Sequence, residues 1–212
     1  MLKVNELFVS LQGEGRFQGQ PVIFVRLSGC TRKCDFCDTS YHNEYTEMTV
    51  EEVINEVRKY VGVDKVVFTG GEPLIQLDEI ERVKEELVYE YDFHLETNGD
   101  LIQDMYQWYR VCDIFEYICV SPKELKVAER IQSIVETATH LHLNFSHDIK
   151  VVTDLEGVGV NMIKYATMLM PLTTYNEKID IEIKKRVWQY CMNERKAYSA
   201  RLHTMFGKRK GI

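Results

Sequence analysis

Short apolar runs rich in β-branched residues alternate along this 212-residue chain with longer stretches of helical spacing, and several of the runs stop at a turn residue. Residues 22–28 read as a buried strand that gives way to Gly29 and Cys30. Residues 65–69 read as a second, stopping at Gly70 and Gly71. Residues 93–97 stop at Asn98 and Gly99, and residues 115–120 stop at Ser121 and Pro122. Residues 51–60 have apolar side chains at helical spacing, with Thr49 as N-cap and Glu52 three residues on to complete a capping box. Residues 77–89 read as a surface helix. Further strands are expected at 141–145, 149–153 and 198–206, and a helix at 179–194. Such alternation builds βα units with mostly parallel strands. The expected fold is α/β, a single domain over residues 1–212, open or closed into a partial (β/α) barrel.

Ligands in folds of this kind gather beyond the carboxyl ends of the strands. Four strand ends carry unusual residues here, so they point to one rim. Within 22–28 the strand period puts Ile23, Val25 and Leu27 on one face, suited to packing under helices, and Phe24, Arg26 and Ser28 on the other. Arg26 then looks out near the strand end, where its fork of donors suits an anionic ligand. The formal net charge of −7 argues against broad binding to a nucleic-acid backbone. No apolar run approaches the roughly 20 residues of a membrane span, and the N-terminus has no signal-peptide pattern, so a cytoplasmic protein is expected.

Six cysteines are present, and three of them, Cys30, Cys34 and Cys37, fall within eight residues. Three thiolates on one short loop can hold three irons of a [4Fe-4S] cube and leave the fourth open. Structural zinc is the alternative, with His42 or a remote cysteine as fourth ligand. Cys112, just after a helix, Cys119 in a strand and Cys191 in a helix read as small core residues. His94, His140, His142 and His147 read as ordinary satisfied side chains, and Glu96 as an ion-pair partner.

The C-x3-C-x2-C spacing, with Phe36 before the last cysteine, resembles the cluster motif of the radical S-adenosylmethionine (SAM) superfamily, and 70–73 (Gly-Gly-Glu-Pro) resembles its glycine motif. Residues 10–15 (Ser-Leu-Gln-Gly-Glu-Gly), 24–30, 37–39, 96–99, 121–123 and 201–204 narrow the resemblance to the 7-carboxy-7-deazaguanine synthase family. It is dense over 10–39 and sparse between 124 and 197.

That resemblance implies a partial barrel of the radical SAM type, a [4Fe-4S] cluster, SAM and Mg2+. It implies conversion of 6-carboxy-5,6,7,8-tetrahydropterin to 7-carboxy-7-deazaguanine with loss of ammonia, in queuosine-type biosynthesis. It also implies a homodimer served by a reductant such as flavodoxin. Cys30, Cys34 and Cys37 would hold the cluster and Thr39 the magnesium. Phe36, Asp38, Gly71, Ser121, Pro122 and Lys123 would meet SAM. Leu11, Gln12, Gly13, Glu14, Arg26, Thr69, His203 and the C-terminal Ile212 would meet the pterin, with Glu14 at its amino edge and Arg26 and His203 at its carboxylate. Without the resemblance, residues 12–15 are a glycine turn, Asp38 and Thr39 are helix caps, and residues 208–210 are a solvated basic end. A glycyl-radical activase and a zinc-stabilised binding module are the competing readings.

Overall fold

The computed structural model describes residues 1–34, 37 and 44–206. Phe36, Asp38, Thr39, His42 and Ile212, named above, lie outside the described residues, as does the basic run 208–210.

Among the described residues nine strands form one open sheet in the order β3-β1-β2-β4-β5-β6-β7-β8-β9. The first two, β1 (Leu2–Leu11) and β2 (Pro21–Leu27), are an antiparallel hairpin, and β3 (Thr46–Met48) pairs antiparallel on its outer side. From β2 onward every pairing is parallel, through β4 (Lys65–Gly70), β5 (Asp92–Thr97), β6 (Tyr117–Val120), β7 (His147–Thr153), β8 (Met168–Pro171) and β9 (Ala197–Tyr198). The helices α1 (Val50–Val57), α2 (Leu77–Leu87), α3 (Met105–Ile114), α4 (Leu125–His140) and α5 (Glu177–Glu194) occupy the crossovers. The barrel is therefore partial, with mostly parallel strands, as the alternation predicts.

Local rules account for the elements. Thr49 Oγ1 accepts from Glu52 N at 3.1 Å, while the Glu52 carboxylate accepts from Thr49 N at 2.7 Å, the reciprocal capping box expected at the start of α1. Strand β2 divides its side chains as the period-two argument requires. Ile23, Val25 and Leu27 join the large core between sheet and helices, together with Phe68, Leu95 and Ile118 of the neighbouring strands. Phe24 turns to the other face, where it packs with Val22, Val67 and Phe8.

The structure corrects several expectations. Residues 141–145 are not a strand. They close α4: Leu143 N donates to Ala138 O and His142 N to Thr139 O, with His142 in the left-handed region at φ 59°. Residues 198–206 form only the tip of β9 and then a 3-10 turn, Leu202–Phe206, because the chain leaves the sheet to bond elsewhere: Leu202 N donates to Gly13 O at 2.9 Å. Cys112 lies within α3 rather than after a helix. Strands β1, β3 and β8 are not among the strands expected from the sequence.

Candidate functional site

The inner face of the sheet, opposite α1 to α5, changes character from its base to the carboxyl rim. At the base, parallel registers align Phe24 with Val67, Val67 with His94, and His94 with Tyr117. Phe17, from the β1–β2 connection, caps this row, with ring centroids 4.4 Å from His94 and 4.8 Å from Tyr117. His94 is not an ordinary satisfied histidine: it is buried and its Nδ1 has no partner among the described residues. Burial pushes its imidazole down to about 4.

One row higher the face becomes polar. Arg26 pairs in register with Thr69 on β4, and Glu96 with Cys119 on β6. A cavity of about 230 Å³ opens above this row, between the strand ends. Among the residues named from the sequence, Leu11, Gln12, Gly13, Glu14, Arg26, Cys30, Cys34, Cys37, Thr69, Gly71, Ser121, Lys123 and His203 line it. Pro122 does not: it is buried beneath the rim.

The thiol-bearing side of the cavity is fixed by backbone. Gly71 N donates to Leu27 O at 3.1 Å and Glu72 N to Gly29 O at 2.8 Å, which pins the end of β4 against the start of the cysteine loop. A Cβ on Gly71 would stand 1.8 Å from Gly29 O, and one on Gly70, at φ +123°, 2.1 Å from Leu27 O. Only glycine permits this approach. Glu72 is fully buried. It accepts from Leu74 N, Asn98 N and Thr97 Oγ1 at 2.8–3.0 Å, tying the glycine turn to the end of β5. Burial raises its carboxyl to about 7 against the pull of those donors. Arg32 anchors the loop from outside, forking onto Asp100 with two 2.6 Å contacts and reaching Glu124.

The three thiols of this loop are the soft donor set of an iron–sulfur cluster. Cys30, Cys34 and Cys37 share the cavity wall, and Cys34 feels the charge of both others. Burial raises the Cys30 and Cys34 thiols, while Lys123 and Arg32 pull Cys34 back towards thiolate. Among the described residues no group of three His, Cys, Asp or Glu side chains is arranged to hold a single metal ion. The residues present fit the cluster.

The opposite side carries charge. Glu14 Oε2 meets Lys150 Nζ at 2.7 Å, and its Oε1 meets Arg201 Nε at 3.1 Å. Lys150 also meets Glu96 Oε2 at 2.9 Å. Burial would raise the Glu14 carboxyl, but Lys150, Arg201 and His203 overcome it and hold the group well below the usual carboxylate range. Glu96 is an ion-pair partner, as expected. Arg26 Nε is held by Glu6 at 2.6 Å, and its Nη donors have no partner among the described residues. Gly13 packs so closely on His203 that a Cβ would lie 2.4 Å from Nδ1.

Lys150, Asn98 and Arg201 line the cavity without a role assigned from the sequence, whereas Arg32, also in the lining, lies between the cysteines where its charge is expected to offset that of a cluster. Met170, Leu172 and Thr173 line it too, at the end of the unforeseen β8. For Lys150 a signal existed. A parallel strand covered on both faces reads as a near-continuous apolar run, and Asp148 and Lys150 break that pattern on one face of β7.

The profile of the Radical SAM superfamily matches residues 24–146. The chain is 34% identical over 228 residues to 7-carboxy-7-deazaguanine synthase of Hyperthermus butylicus, covering 97% of this chain and 92% of that protein. It is 50% identical over 101 residues to 7-carboxy-7-deazaguanine synthase of Bacteroides thetaiotaomicron, covering 47% of this chain and 53% of that protein, so this match spans about half of the relative's length. The crystal structure of QueE from Escherichia coli superposes with a TM-score of 0.57 at 19% identity, over 95% of this chain and 94% of that one. At that identity the likeness concerns the fold.

Proposed function

The chain belongs to the 7-carboxy-7-deazaguanine synthase family of the radical SAM superfamily, and we propose that it contracts 6-carboxy-5,6,7,8-tetrahydropterin to 7-carboxy-7-deazaguanine with release of ammonia. Family membership makes it an enzyme of deazapurine biosynthesis that uses a [4Fe-4S] cluster and SAM. It sets aside both the glycyl-radical activase and the zinc-stabilised module. The observation that carries the reading is the sharing of one cavity by three thiols and by Glu14, Arg26 and His203. An activase acting on a protein has no need of that second set.

When bound, the cluster and SAM supply the one-electron reduction and the carbon-centred radical that removes a substrate hydrogen. The chain's own residues do the rest. Cys30, Cys34 and Cys37 hold the cluster on a loop braced by the glycine turn and by Arg32. Gly71, with Ser121 and Lys123, which are joined by a 2.9 Å hydrogen bond, forms the wall for SAM. Phe36 and Asp38 belong to the same contact set by resemblance, as does Pro122 beneath the rim. Leu11, Gln12 and Gly13 border the pterin, and Thr69 adds a hydroxyl. Ionised Glu14 accepts from the pterin's amino edge, while Arg26 and His203 attract its carboxylate. Ile212 belongs to the substrate set by resemblance.

The proposal extends to a magnesium ion held by Thr39, a flavodoxin-type reductant and a homodimer. It further takes residues 1–212 as one catalytic domain working in the cytoplasm on a small molecule, without direct contact with nucleic acid. The family resemblance supports these points. No helix among the described residues is long and apolar enough to cross a membrane.

Anaerobic reconstitution with iron and sulfide, followed by reductant, SAM and the carboxy-tetrahydropterin, is expected to yield 7-carboxy-7-deazaguanine and ammonia. An intact cluster that cleaves SAM yet forms no such product would overturn the reading. Arg26→Ala is expected to raise the substrate KM by about tenfold or more, the loss of one charge-assisted contact, with the cluster absorbance unchanged.

A further inference from the structure

The most deeply buried charge facing the cavity belongs to a residue with no role so far. Lys150 is 2% exposed and lies in the middle of β7. Its ammonium touches two carboxylates from different elements, Glu14 of the β1–β2 connection and Glu96 of β5. A lysine so enclosed persists only if its charge is matched, and the two acids match it. The converse matters more. Glu14 and Glu96 are both largely buried, and the cation they share holds the two carboxylates side by side while favouring the ionised form of Glu14.

We propose that Lys150 is a positioning residue for this site: it bridges Glu14 and Glu96 and thereby keeps Glu14 an ionised acceptor fixed at the cavity wall for a ligand that presents amino or ring N–H donors. This rests on the proposed role of Glu14 at the pterin's amino edge. The other charged and titratable groups around the bridge are few. Arg201 and His203 of the C-terminal segment face Glu14, and Cys119 of β6 faces Lys150 and Glu96. Asp148 lies further down β7 and is engaged by Arg16, Tyr117 and Thr167. Arg201 meets Glu14 at Oε1, whereas Lys150 meets it at Oε2. Burial alone drives the Glu14 carboxyl upward, so loss of Lys150 leaves a group more easily protonated and free to turn.

The test is direct binding of the carboxy-tetrahydropterin to the cluster-loaded protein between pH 5 and 8, for the native chain, Lys150→Met, Glu14→Gln and the double variant. Lys150→Met is expected to weaken binding about tenfold at pH 7, the scale of one lost charge-assisted bond. Its deficit relative to the native chain is expected to narrow as pH rises, because Glu14 ionises again. Adding Lys150→Met to Glu14→Gln is expected to cost nothing further. A deficit that is constant with pH, or a full additive loss in the double variant, overturns the inference. If Lys150→Met does not fold, the 13C carboxyl resonance of Glu14 in the native chain decides, assigned by its loss in Glu14→Gln. It is expected to stay ionised at pH 4, and titration in the ordinary carboxylate range overturns the proposal. A native chain that does not bind the pterin at all refutes the function instead.

Discussion

The two faces of the sheet are built from the same strands, residue by alternate residue, yet they follow different rules. The helix-covered face is mainly apolar: Val25, Phe68, Leu95 and Ile118 pack in one core with the helices. The cavity face is graded. It begins with tilted and edge-on rings around Phe17, passes through Arg26, Thr69, Glu96 and Cys119, and ends at the thiols and the Glu14–Lys150–Glu96 bridge. The first face holds the strands in register. The second uses that register to bring groups from distant parts of the chain to one place.

The comparison predicts that the faces fail differently. Cys34→Ala is expected to have the largest effect on function and a small one on folding. Iron retention and SAM cleavage should fall to background while the melting temperature of the metal-free chain stays within a few degrees. A comparable loss of stability would mean that the loop also braces the fold. Phe68→Ala, on the opposite face, is expected to destabilise the chain by about 3–5 kcal/mol in denaturant unfolding, from lost transfer energy and a residual cavity. The molecules that remain folded should still bind iron, and an empty but folded variant would blur the distinction between faces.

His94 sharpens the boundary, since it belongs to the base of the cavity face but is there for packing. Its imidazole is pushed down to about 4 by burial, against about 6.5 in the unfolded chain. The stability it contributes is fully present above pH 6.5 and is lost as the pH falls through 4, because the unfolded chain takes up the proton first. His94→Phe is therefore expected to flatten the fall in stability between pH 6.5 and 4. An unchanged slope would place the responsible group elsewhere. The smallest effect concerns the helix layer alone. Thr49→Ala removes the α1 cap and is expected to cost about 1 kcal/mol, with the cavity unaffected. A change in substrate binding would contradict the separation of faces.

What could be read from the sequence follows the same division. Residues 30–37, 70–73 and 49–52 are local: spacing, a glycine pair and a cap each announce their chemistry within a few positions. The face assignment of β2 came from period two alone, and the packing of Ile23, Val25 and Leu27 agrees with it. Strand β8 escaped because Met168–Pro171 is four apolar residues whose identity as a strand depends on pairing with β7 and β9. The end of the chain was misread for a related reason. An apolar segment after Tyr198 resembles a strand until Gly13, nearly 190 positions earlier in sequence, offers its carbonyl to Leu202. Lys150 is the instructive case. Its presence in a buried strand was visible, but its partners come from two other segments, and no short-range pattern joins them.

With Cys30, Cys34 and Cys37 as its protein ligands, a cluster in this cavity would leave one iron accessible to SAM. Electron paramagnetic resonance of the anaerobically reconstituted, reduced protein, recorded with and without SAM, tests it most directly. A [4Fe-4S]+ signal whose g-values shift when SAM is added is expected. A signal indifferent to SAM, or a chain that retains one zinc and no iron, would contradict it.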